Sequence, residues 1–211
     1  MKKISSILIS NTLTRHLLPY VVAWDANRRI REENKEKNRE CLSNYWKQTL
    51  EAKEVSSLEK IADDVYHSEI QRKEMIESKA ASLFEAIAFA VSLVSIAIVF
   101  IEKTTALILL LFPLVNFLLT GICSWHATKI GEFFLLTLQG IKEDIESPIE
   151  KKPRNESETH WTIEKLVDTE MNSPFILIKS NWLVAAYQHF LLGILSIIPI
   201  FVLIIVATYF L

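Results

Sequence analysis

The chain has 211 residues, half of them hydrophobic and 23% charged, and carries a net charge of −2. Those averages cover two unlike populations: charge crowds into residues 27–79, whereas 83–123 and 191–211 hold only Glu85, Glu102 and Lys103. So sharp a separation excludes an ordinary water-soluble core, and the absence of a strongly basic face argues against nucleic acid as the main partner.

Residues 1–24 begin with Lys2 and Lys3 and continue as ISSILISNTLTRHLLPYVVAW. The apolar core is too short and too broken by Ser, Asn and Thr for a secretory signal, and no small-x-small cleavage site follows it. Asn11, Arg15 and His16 argue against a membrane span. An amphipathic segment is expected instead, with Ile4, Leu8, Leu13, Leu17 and Val21 on one face and Trp24 at the interface. It either lies on the inner leaflet or packs on the cytoplasmic part.

Residues 25–82 read as a charged, helical, coiled-coil-like cytoplasmic part. In NRRIREENKEKNRE, opposite charges at helical spacing, such as Glu33 with Lys37 and Glu36 with Arg39, support a solvated helix. Leu42, Tyr45, Trp46 and Leu50 then form one apolar stripe, which needs a partner from this chain or another copy. Ser56 followed by Glu59 is a capping-box pattern, so a helix is predicted to start near Ser57. Leu58, Ile61, Ala62, Val65 and Ile76 give it a narrow apolar seam. Neither Pro nor Gly occurs between Val55 and Ile101, so one helix of roughly 45 residues can run from the charged part into the apolar one.

Residues 83–123 are two apolar runs, LFEAIAFAVSLVSIAIVFI and ALILLLFPLVNFLLTGIC, with Glu102, Lys103, Thr104 and Thr105 between them. Each run is long enough to cross about 30 Å of hydrocarbon as a helix, and the charged turn must reach water. The expectation is a transmembrane helical hairpin. Ala81, Ala88, Ser92 and Ser95 share one side of the first helix, with Ala86 and Ala90 on an adjacent strip. Small residues let helices approach closely in lipid, so this side is expected either to pack on the other spans or to line a self-associating face or pore. Glu85, one or two turns inside, is either a functional intramembrane carboxylate or a group that reaches water or Lys79. Asn116 should find a partner on a neighbouring helix, as glue or as a pore-lining group, and Pro113 should kink the second helix.

Residues 124–189 start with Trp125 and His126 as interfacial residues. Ile130, Phe133, Phe134, Leu138, Ile141 and Ile145 keep helical spacing, as in a cytoplasmic extension packed on the long helix. SPIEKKPRNESET reads as a loop, and its Asn155-Glu156-Ser157 acceptor pattern goes unused in the cytoplasm. A short helix is expected from His160 to Met171, broken at Ser173-Pro174. Lys179 can snorkel, and Trp182, Tyr187 and His189 suit the headgroup zone. Residues 190–211 carry no charge and form a third span, with Pro199 as a candidate bend.

The fold class is thus an all-α integral membrane protein with a cytoplasmic helical part, a transmembrane hairpin and a third, C-terminal transmembrane helix. With three spans the termini lie on opposite sides. Of the 23 Lys and Arg residues, all except Lys103 fall on one side, which the positive-inside rule assigns to the cytoplasm of a prokaryotic inner membrane, leaving the C-terminus outside. Cys41 and Cys123 suggest no disulfide framework. The five histidines lack metal-binding spacing, and no nucleophile elbow, Walker loop or dinucleotide fingerprint occurs, so neither a catalytic residue nor a cofactor is expected.

A charged helical part running through KAASLFEAIAFAVSL into a tight hairpin resembles the small prokaryotic two-transmembrane effectors of antiphage and nucleotide-signalling defence systems. The resemblance covers about residues 57–145 and rests on architecture; the third span departs from it. It implies a cytoplasmic portion that receives a signal, from a protein or through a nucleotide, and a homo-oligomeric membrane portion that perturbs or perforates the bilayer. Two other readings are a membrane-anchored scaffold or regulatory subunit that docks a cytoplasmic partner, and a small transporter or channel subunit.

Overall fold

The structure, a computed structural model, describes residues 18–35, 37–51, 55–99, 104–129 and 154–210. Five helices and no strand occur among them: α1 (Pro19–Glu33), α2 (Arg39–Glu51), α3 (Val55–Val99), α4 (Thr104–Thr128) and α5 (Arg154–Phe210). Most of the expected N-terminal amphipathic segment, the hairpin turn and the extension over 130–145 lie outside the described residues. Three stretches, Glu59–Ser95, Leu110–Thr128 and Thr159–Val202, are long and apolar enough to cross a membrane.

The helix boundaries follow local chemistry in some places and override it in others. Pro19 opens α1, where its missing N–H removes nothing from the helix ladder. The charged stretch is not one helix: α1 ends at Glu33, Asn34 donates its side-chain amide to the Ile30 carbonyl at 2.7 Å, and Asn38 caps α2 by accepting from Glu40 N–H at 3.1 Å. The expected Glu33–Lys37 pair therefore loses its helical spacing, because the break falls between its members; Glu36, expected to pair with Arg39, lies outside the described residues. Helix α3 is unbroken for 45 residues, as the absence of Pro and Gly predicts.

Helix α5 departs furthest from expectation. Its 57 residues begin at Arg154, inside the stretch read as a loop, and pass straight through Ser173-Pro174 where a break was expected. An interior proline costs roughly 3 kcal/mol by removing a donor and crowding the carbonyl four residues back. Here Pro174 is itself buried, as are Asn172, Ile176, Ile178 and Lys179 around it. Burial of this side of the helix outweighs the local penalty, while Leu177 on the other side stays exposed. Helix α4 likewise continues through Pro113, and α5 through Pro199, so neither proline ends its helix.

The chain divides into two compact units, each visited more than once. Unit 1 comprises Met1–Arg28, Ile76–Lys129 and Ile178–Leu211; unit 2 comprises Arg29–Met75 and Ile130–Leu177. Unit 1 has a core of Ala90, Val94, Leu110, Phe117 and Ile200, drawn from α3, α4 and α5. Its outward residues are also apolar, among them Phe89, Leu111, Leu118, Leu195 and Ile198, each more than half exposed. A surface of that kind suits lipid as solvent. Buried Lys179 pairs with Glu77, so its expected snorkelling is replaced by an ion pair within unit 1.

Unit 2 is organised differently. Leu50 of α2 packs on Ile163 and Val167 of α5, with Leu42, Trp46 and Met171 around them. The stripe read on α2 thus finds its partner within the chain, although Tyr45 stays 58% exposed. Each fully buried aliphatic side chain here contributes about 1.5–3 kcal/mol. The α3 seam is used in part: Ala62 is buried, as is Ile76 in unit 1, while Ile61 and Val65 are exposed; Tyr66, outside the seam, is buried as well. Lys165 of α5 pairs with Asp63 of α3.

Candidate functional site

The expected small-residue side of α3 faces outward. Ala81, Glu85, Ala88, Ser92 and Ser95 are all exposed, while Ala80, Leu83, Ala90 and Val94, on the far side of the same helix, are buried. Packing of that side against the second and third spans, one of the two arrangements the sequence left open, is therefore not what unit 1 uses. Of the adjacent strip, Ala90 is buried and Ala86 is half-buried. Ser92 and Ser95 donate to the carbonyls of Ala88 and Val91, each at 2.8 Å, so their hydroxyls are satisfied on their own helix. No ion pair joins Glu85 to Lys79 or to any other charge among the described residues, and both side chains are exposed. Beside this helix, α3 and α5 enclose an apolar cleft of about 600 Å³, lined by Ala86, Phe89, Phe190, Ile194, Ile198 and Phe201 among others.

Asn116 is buried at 6% exposure and does find its interhelical partner. Its Oδ1 lies 3.0 Å from Nδ1 of His189 on α5, and its Nδ2 donates to the Phe112 carbonyl at 3.0 Å. His189 Nε2 in turn accepts the backbone N–H of Tyr20, at the first turn of α1, at 3.2 Å. Because Nε2 accepts, it carries no proton; the imidazole is therefore neutral with its hydrogen on Nδ1, donated to Asn116. Three helices meet at this ring. His189 is 2% exposed, so its ring faces protein, against Asn116 of α4. The energetic reason is that a buried Asn and an orphan helix N–H each need a partner, and one imidazole supplies both. Asn116 thus bonds across from α4 to α5 within unit 1. An asparagine within one apolar run and a histidine just before another were the available sequence signal, and Tyr20 gave none because its backbone makes the contact.

Unit 2 holds a charged cluster that the sequence reading did not single out. Arg39, at the start of α2, pairs with Glu164 and stands 2.8 Å from Oδ1 of Asp168, one helical turn further along α5. Asp168 is 1% exposed, and its Oδ2 has no hydrogen bond among the described residues. Burial raises its pKa above the usual carboxylate range, against the opposing pull of Arg39. Burial works to lower the pKa of Arg39, but Glu164 and Asp168 outweigh it and hold the value above the ordinary one. The i, i+4 spacing of Glu164 and Asp168 was a visible signal, yet nothing in the sequence ties it to Arg39.

No group of three or more His, Cys, Asp or Glu side chains able to hold a metal occurs among the described residues. No family model matches the chain, and no curated protein or solved structure is found to resemble it.

Proposed function

We propose that this protein is a non-enzymatic, homo-oligomeric membrane protein that perturbs or perforates the bilayer, controlled through its cytoplasmic helices. The observation that carries this reading is the outward position of Ala81, Glu85, Ala88, Ser92 and Ser95 in a unit whose own packing leaves that face unused. Association of helices in lipid depends on close backbone approach, which small side chains permit, and on polar groups that prefer protein to hydrocarbon. Glu85 is such a group. If this face of one copy meets the α3–α5 cleft of the next, the contact is heterologous, and a heterologous contact that closes makes a ring.

In this reading unit 2 lies in the cytoplasm and α5 ends outside, the orientation that the distribution of Lys and Arg favours. The test is membrane potential in cells expressing the protein. Depolarisation is expected, with loss of the effect when Ala88 and Ser92 are both replaced by Leu. A detergent-solubilised mass measurement accompanies it: an oligomer that becomes monomeric in the A88L/S92L variant supports the reading. A wild-type monomer, or an unchanged potential in expressing cells, overturns it.

A further inference from the structure

The start of α1 has a position that its sequence does not suggest. Its contacts run along α5 in order: Tyr20 N–H reaches His189, the Tyr20 ring lies 5.2 Å from the ring of Trp182, and Asn27 accepts from the side-chain amide of Asn181 at 2.8 Å. Tyr20 to Asn27 is seven residues and Asn181 to His189 is eight, so the two helices run antiparallel and side by side for about 10–12 Å. A helix lying flat on the headgroups would cross the spans instead of following one. The depth of its first turn is set by His189, which is hydrogen-bonded to Asn116 in the interior of the second apolar run.

The faces of α1 agree with that placement. Pro19, Ala23, Asp25 and Asn27 are buried, and Asp25 is paired with Arg28 at 3.5 Å. The outward residues ahead of the first charge are Leu18, Val21 and Trp24, at 43%, 40% and 56% exposure and three residues apart. Asp25 and Asn27 turn to protein while Leu18, Val21 and Trp24 turn away, so the apolar side chains of the first turns face outward, as they do on a helix solvated by lipid. A helix N-terminus in hydrocarbon leaves its first N–H groups without water, and His189 accepts one of them.

We infer that residues 18–24 sit within the hydrocarbon layer as a half-membrane helix, with acyl chains against Leu18, Val21 and Trp24 and neutral His189 as the acceptor that holds the first turn there. This rests on lipid surrounding unit 1, which belongs to the function proposed above, and is independent of oligomer formation.

The test uses spin labels on the full chain in phosphatidylcholine and phosphatidylglycerol vesicles. Single cysteines are introduced as V21C, V115C and K35C in a C41S background, Cys123 being fully buried. The readout is the ratio of accessibility to oxygen over a water-soluble nickel chelate. V21C is expected to match V115C, far above K35C. In an H189A background V21C should shift toward the K35C value, and H189Q, which keeps an acceptor, should restore it. A V21C ratio typical of the headgroup region while V115C reads deep overturns the inference alone. A V115C ratio typical of water overturns it together with the membrane reading. An unchanged V21C ratio in H189A removes His189 from the holding role.

Discussion

Gly193 shows how a single hydrogen atom decides a helix contact. A Cβ at this position would lie 2.6 Å from Cε1 and 2.9 Å from Cδ1 of the Phe117 ring, and Phe117 is itself fully buried and packed against Phe190. In an exposed helix Gly→Ala would stabilise by about 1 kcal/mol. Here overpacking costs about 1–3 kcal/mol and dominates, so Gly193→Ala is expected to lower the unfolding midpoint in a detergent titration. Asp168 gives a pH-dependent case. Its folded pKa lies above the ordinary carboxylate value, so the stability associated with its protonated form is present below that value and is lost as pH rises through the folded pKa. Unit 2 is therefore expected to melt at higher temperature when acidified into that window, and Asp168→Asn should remove this dependence without loss at neutral pH. Amide exchange of unit 2 against pH checks both. At this scale Asn116 was readable as a polar residue seeking a partner, whereas the role of His189 as that partner had no local signal. Only the fold reveals that Tyr20 and Asn116 converge on it.

At the scale of elements, α3 was legible because a run without Pro or Gly and with a capping pattern leaves little else to form. Its two sides were harder, since a periodicity tells which residues share a face but not what covers it. Ala80 and Ala81 separate the two cases: the first is fully buried and the second exposed. Ala80→Leu is expected to destabilise the monomer by about 1–3 kcal/mol, and Ala81→Leu by no more than about 0.5 kcal/mol, while only the latter acts chiefly through association. Unfolding in detergent together with sedimentation mass distinguishes them. Helix α5 was read in pieces because Pro174 is a local breaker, and its burial among Asn172, Ile176 and Lys179 has no local signature. The division of the charged stretch at Asn34 and Asn38 was visible in principle, as both are residues that prefer caps to helix interiors.

For the molecule as a whole, the class was written in the segregation of charge from apolar runs, and three helices are indeed long and apolar enough to cross a membrane. The division into units was not, because each draws on segments far apart in sequence. Retention in membranes after an alkaline carbonate wash is expected, and a reagent confined to the cytosol should fail to label the end of α5. Release by the wash would contradict membrane integration, and labelling there the proposed orientation. The bond from Tyr20 to His189 spans 169 positions. At a translation rate of about 5–20 residues per second, His189 follows Tyr20 out of the ribosome by roughly ten to thirty seconds. During that interval Tyr20 N–H has no imidazole to meet, so α1 gains this seat only after α5 has been made.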